Sequence, residues 1–270
     1  MNDESASPQS SRGDADAEIL RFVQASSKCL EHWNRLKFPL RIAPNLTRGF
    51  NVGFPLAAHA LNHVVVGLET RNRFPHAAAT SARVALEHAL AAQWVLLTRG
   101  GAETLVRHME AGYLVRVKAF AGALNDTDSL LTSLVDAEDL AAFASVAARE
   151  PAPGTERSWS MERVFRRFAG TDLFYDLYRE LSGAVHPSYE TIQAHLDTRN
   201  AHPPRLNRAG ALLSGYSSAQ ETALAAVLAM DFIERCQDHP PTPSPIAAIA
   251  LAAGLPYDLA FSDQNPELQP

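Results

Sequence analysis

Arg179 and His186 stand seven positions apart in the segment Tyr178-Arg-Glu-Leu-Ser-Gly-Ala-Val-His-Pro-Ser188. A neutral imidazole can take the proton of a ribose 2′-hydroxyl, and its protonated form can return one to a leaving oxygen. A nearby guanidinium can hold the scissile phosphate as a fork and stabilise the charge that builds on it. The chemistry that wants this pair is metal-independent cleavage of an RNA phosphodiester. On a continuous helix, seven residues turn the chain by about 700°, within roughly 20° of two full turns, so both side chains would share a face. Spacing alone is weak evidence, because this composition yields about two such pairs by accident. Three occur among the 21 arginines and ten histidines: Arg71/His76, Arg83/His88 and Arg179/His186. The first straddles Pro75 and the second points to two faces of one helix, whereas the third sits at a helix end beside Tyr178, Ser182 and Tyr189. The competing reading makes His186 a cap on the last carbonyls of that helix and Arg179 a member of a surface ion pair.

Two further groups carry polar chemistry. His76, Thr80, Arg83, Glu87, Leu90, Trp94 and Leu97 recur at alternating spacings of four and three, the seam of a packed helix. Its C-terminal half is apolar and its N-terminal half is not. If the seam faces inward, Arg83 and Glu87 must be paired or line a polar cavity. That cavity could be shared with Arg179 and His186, or the two could form an i, i+4 pair on a solvated helix end. His59 and His63, also i, i+4, could present two imidazoles to a metal, with Glu87, His88 or His108 as a third ligand. No HExxH or carboxylate-rich motif accompanies them, so half-buried helix histidines are the expected reading and no metal or cofactor is expected.

The elements that must position these residues read as helices. Apolar periodicity predicts helices over 17–37, 55–70, 75–99, 102–124, 128–149, 158–168, 172–185 and 208–237, separated by Gly, Pro and Asn-Asp breaks. The fold class expected is all-α: a helical bundle with an extra N-terminal helix and a C-terminal docking segment. Residues 1–16 read as a disordered acidic tail, 17–237 as the bundle domain, and 238–270 as a Pro-rich linker, HPPTPSP, followed by an apolar segment that docks back.

The segments Arg83-Val-Ala-Leu-Glu87 and Leu181-Ser-Gly-Ala-Val-His-Pro-Ser188 together resemble an uncharacterised family of bacterial all-α proteins. That pattern is in turn similar to the HEPN (higher eukaryote and prokaryote nucleotide-binding) superfamily. About fifteen residues carry the resemblance, within a compatible helical order over 55–237. It implies a helical bundle, a metal-independent endoribonuclease of RNA processing or defence, and a homodimer that brings two sites together. Carried over by position, Arg179 and His186 become the catalytic pair, with Arg83, Glu87, Tyr178 and Ser182 around them. RNA is the implied substrate. A non-catalytic module that binds a partner protein is the alternative, and a metal-dependent bundle enzyme using His59 and His63 is a third reading.

Charge permits an RNA substrate without requiring one. The chain carries a formal −6, but residues 1–20 hold −4 and residues 250–270 hold −3, leaving 21–249 at +1. Residues 157–208 contain eight arginines against six acids. Two cysteines, Cys29 and Cys236, exclude a disulfide scaffold and a four-cysteine zinc site. Neither a basic-then-apolar leader nor an apolar run of about 18 residues is present, so the expected compartment is the cytoplasm, away from the membrane.

Overall fold

The computed structural model describes residues 8–124, 141, 145–146, 148, 160–165, 167–168, 171–182, 185, 192, 195–197, 205–206 and 218–261. The chain divides into two compact units, one of residues 1–99 with 161–270 and one of residues 100–160. The fold is all-α, as the periodicity predicts. In the larger unit the helices are α1 (Pro8–Arg35), α2 (Thr47–Thr70) and α3 (Pro75–Leu97), all in the N-terminal part. The smaller unit holds α4 (Gly101–Leu124), with Leu105, Leu114 and Val117 buried. The chain returns to the larger unit with α5 (Met161–Phe165), α6 (Thr171–Ser182), α7 (Ala219–Arg235) and α8 (Pro245–Ala253). A two-residue antiparallel pair, Leu196–Asp197 with Arg205–Leu206, lies in the connection that reads as irregular in sequence.

Helix α7 is the axis of the larger unit. All but one of its residues from Ala219 to Glu234 are buried, and α1, α2, α3 and α8 all pack on it. Most of its buried residues are apolar, and small ones such as Ala223, Ala225, Ala226 and Ala229 let four neighbours approach it, although Glu221, Thr222, Asp231 and Glu234 are buried with them. The closest approach is to α2. A Cβ added at Gly53 would run into the Phe232 ring, so only glycine fits where α2 crosses it. Phe50, one turn earlier on α2, stacks on the same ring with centroids 6.3 Å apart.

Three boundaries differ from expectation. Helix α1 starts at Pro8 rather than Ala17, so residues 8–16 of the expected disordered tail are helical. Proline suits a first helical turn, and the solvated stretch from Gly13 to Glu18 extends the helix without requiring a buried partner. Helix α2 starts at Thr47, after a 3₁₀ turn over Pro44–Leu46, and carries Pro55 in its interior rather than at its start. Packing of Phe50 and Gly53 on Phe232 outweighs the one intrahelical bond that Pro55 cannot donate. Helix α6 ends at Ser182 instead of near Val185, because Gly183 follows it and Pro187 restrains His186. Most of the helix expected over 128–149, and all of 208–217, lie outside the described residues.

The C-terminal segment docks as expected. Ser244 caps α8 by accepting from Ala247 N at 2.9 Å, Pro245 fills the first position, and Gly254 ends the helix in the left-handed conformation. Ile246, Ala250 and Ala253 are buried, and α8 packs on α1 and α7. Beyond it, Leu255 and Leu259 are buried and Phe261 bridges to Phe168 with rings 5.6 Å apart.

Candidate functional site

The polar end of α3 meets α6. Val164, Phe165 and Phe168 are buried, as are Phe174, Leu177 and Leu181 on one side of α6, and this apolar base carries Tyr178. The Tyr178 ring packs on Phe165 at 4.9 Å and stacks on Tyr175 at 6.4 Å. Arg83 reaches it from α3. Its Nη2 donates to Tyr178 Oη at 3.0 Å, its guanidinium carbon lies 4.8 Å from that ring's centre, and its Nε donates to Glu87 Oε1 at 3.0 Å. The pair is largely buried, with side-chain exposures of 11% for Arg83 and 23% for Glu87. The seam therefore faces inward, and Arg83 and Glu87 are both paired with each other and turned toward a second helix. One corner of the fork, Nη1, is buried without a hydrogen-bond partner among the described residues. A buried guanidinium nitrogen without an acceptor is an unspent hydrogen-bond donor.

Arg179 and Ser182 occupy different positions. Arg179 is exposed on the solvent side of α6, its guanidinium 6.0 Å from the centre of the Tyr175 ring. Ser182 donates to Tyr178 O at 2.8 Å, a bond within its own helix that does not reach Arg83. His186 lies outside the described residues. The end of α6 at Ser182 removes the continuous helix on which a shared face for Arg179 and His186 depended.

Two residues near this face carry no sequence signal. Arg167 lies over the Trp94 ring at 6.0 Å, and burial, with the charge of Arg163 beside it, lowers its pKa from the usual arginine value. His195 comes within 5.8 Å of His76, ring centre to ring centre, at the start of the same α3 seam. Separations of 73 and 119 residues leave no spacing by which either contact could be read.

Arg83 and His88 do point to different faces, as a five-residue spacing on a helix requires. His88 turns to α2, where its ring centre is 4.6 Å from that of His59, which lies 4.7 Å from His63. His88 Nδ1 is 2.8 Å from Val84 O, and since a carbonyl only accepts, that nitrogen carries the proton. Burial, outweighing the pull of that bond, pushes the His88 imidazole below its usual pKa; burial and then His59 and His88 do the same to His63. Among the described residues no three His, Cys, Asp or Glu side chains are arranged to hold a metal ion. Cys29 and Cys236 are buried free thiols, each pushed up to about 12, chiefly by burial, which keeps them protonated and unreactive.

Comparison with protein-family models, curated proteins and solved structures finds no match to this chain. Among the described residues no helix is long and apolar enough to cross a membrane.

Proposed function

We propose that this chain is a HEPN-like helical-bundle protein that cleaves RNA without a metal, in RNA processing or defence, at the face where α3 meets α6. His186 is the general acid and base, Arg179 the phosphate holder, and Arg83 with Glu87 and Tyr178 the inner wall of the site. The observation that carries this reading is the Arg83 fork. It is fixed by Glu87 and Tyr178 at two corners, its third corner is buried without a hydrogen-bond partner among the described residues, and it reaches from α3 to α6, the helix that bears Arg179. Exposed Arg179 on Tyr175 adds a second guanidinium with an aromatic support, an arrangement suited to a phosphate and a neighbouring base. In this reading two copies pair to bring two such sites together, in the cytoplasm.

Incubation of purified protein with a set of diverse RNAs in chelator tests the reading. Attack by the 2′-hydroxyl leaves a 2′,3′-cyclic phosphate or its 3′-phosphate product and a 5′-hydroxyl end. Absence of cleavage, or products with 3′-hydroxyl ends, contradicts it. A second reading, a helical module that binds a protein partner without catalysis, has in its favour the exposed Phe38 and Leu251. It predicts intact RNA in the same experiment.

A further inference from the structure

The C-terminal end of α7, away from the α3–α6 face, carries acidic groups that the proposed reaction does not use. Asp231, Glu234 and Arg235 of α7, with Ser244, Tyr257 and Asp258, line a cavity of about 250 Å³ walled by Pro240 and Pro241. Three carboxyl groups face one guanidinium there, and the carbonyl end of α7 adds negative partial charge. Arg235 is already committed, with Nη1 3.1 Å from Asp258 Oδ1 and 3.7 Å from Asp231 Oδ2. Asp231 also accepts from Gln93 Nε2 at 2.8 Å.

Glu234 is provided for less well. It is only 5% exposed; Ser244 Oγ donates to its Oε2, and its Oε1 has no hydrogen-bond partner among the described residues. Burial raises the carboxyl pKa of both Asp231 and Glu234, against the opposing effects of Arg235 on the first and Ser244 on the second. Three ionised carboxylates against one guanidinium leave the site formally negative, a charge that a bound cation would offset.

We propose that this cavity binds a small organic cation, a primary ammonium or guanidinium on a short alkyl arm. Glu234 and Asp231 hold the head, and Tyr257 and the two prolines flank the arm. An organic cation fits better than a divalent metal. Calcium or magnesium requires six or more oxygen ligands, and Arg235 stands among the few available here. The volume equals that of about eight waters, enough for a head group and a few methylenes. Asp258, held in the left-handed region at φ 50, keeps its carboxylate at the rim, where its side chain is 69% exposed.

Calorimetric titration of the full chain with agmatine, which has both head groups on one short arm, tests this, with 1-butanol as the uncharged control. Saturable binding at one site per chain is expected for agmatine and none for butanol. Glu234→Gln, which keeps the Ser244 bond and removes the charge, weakens binding by about tenfold or more. Asp258→Asn, at the exposed rim and tolerant of the left-handed conformation, weakens it less and decides the question if the first variant does not fold. Failure of agmatine to saturate, equal binding of butanol, or unchanged affinity in the folded variant overturns the proposal.

Discussion

Arg83 is held by two unlike partners, a carboxylate on its own helix and a phenol on another. The Glu87 contact is a short-range i, i+4 pair and was legible in the seam of α3. The Tyr178 contact spans 95 residues and no local pattern announces it. Tyr178→Phe removes the hydroxyl acceptor and leaves the ring, so it separates the hydrogen bond from the cation–π contact. Loss of a bond from a charged donor costs about 1.5 kcal/mol, and urea denaturation should show a midpoint lowered accordingly. An unchanged midpoint would mean that the Arg83 contact contributes nothing to stability. The histidines of α2 and α3 set a pH dependence. Burial lowers the pKa of His63 and His88, so the unfolded chain binds protons that the folded chain refuses. Their contribution is fully present above about pH 6.5 and is lost as pH falls below it toward their lowered folded values. Asp231 and Glu234 act in the opposite sense: with raised folded values, they favour the fold at acid pH and lose that contribution as pH rises through those values. His88→Gln, which can still donate to Val84 O, should therefore lose less stability than the parent between pH 7.5 and 5.5. Parallel losses in the two proteins would show that His88 is not part of the effect.

The elements were legible where an apolar stripe coincided with clear punctuation. Pro75 at the head of α3, and Ser244-Pro245 with Gly254 around α8, each supply a start or stop that local chemistry dictates. Boundaries moved where tertiary packing overrode that chemistry. Pro55 reads as a helix start, yet α2 runs through it because the Phe50–Gly53 stretch upstream is clamped on Phe232 of α7. Gly53 tests that explanation. In an isolated helix Gly→Ala gains about 1 kcal/mol, whereas here the added methyl meets the Phe232 ring and overpacking costs about 1–3 kcal/mol. Gly53→Ala should lower stability, and pairing it with Phe232→Leu should recover part of the loss in a double-mutant cycle. A stabilised Gly53→Ala, or strict additivity of the two changes, would contradict the close approach of α2 to α7. At α6 Phe174, Leu177 and Leu181 make the inward face, with Tyr178 half-buried beside them. The same geometry puts Arg179 on the solvent side, and the helix end at Ser182 is set by the glycine and proline that follow.

On the scale of the whole molecule, the all-α class followed from periodicity alone, because each helix spans enough turns for its stripe to stand out. The arrangement around α7 did not. Periodicity predicts a helix there, but nearly all of its residues are buried, Glu221, Asp231 and Glu234 among them, and the pattern does not say which helices surround it. The net negative charge of the chain lies in its terminal segments, −4 in residues 1–20 and −3 in 250–270, and the α3–α6 face carries Arg83, Arg167 and Arg179 near aromatic rings. That distribution is compatible with a phosphate-bearing substrate despite the net −6. The central claim is that His186 and Arg179 cleave RNA there. Its most direct test is the initial rate of RNA cleavage in chelator by the parent chain, His186→Ala and Arg179→Ala, each shown to be folded. Loss of a general acid and base should reduce the rate about 10²–10⁴-fold in His186→Ala, with a further large loss for Arg179→Ala measured separately. Equal rates for the parent and His186→Ala, or no cleavage by any of the three, would contradict it.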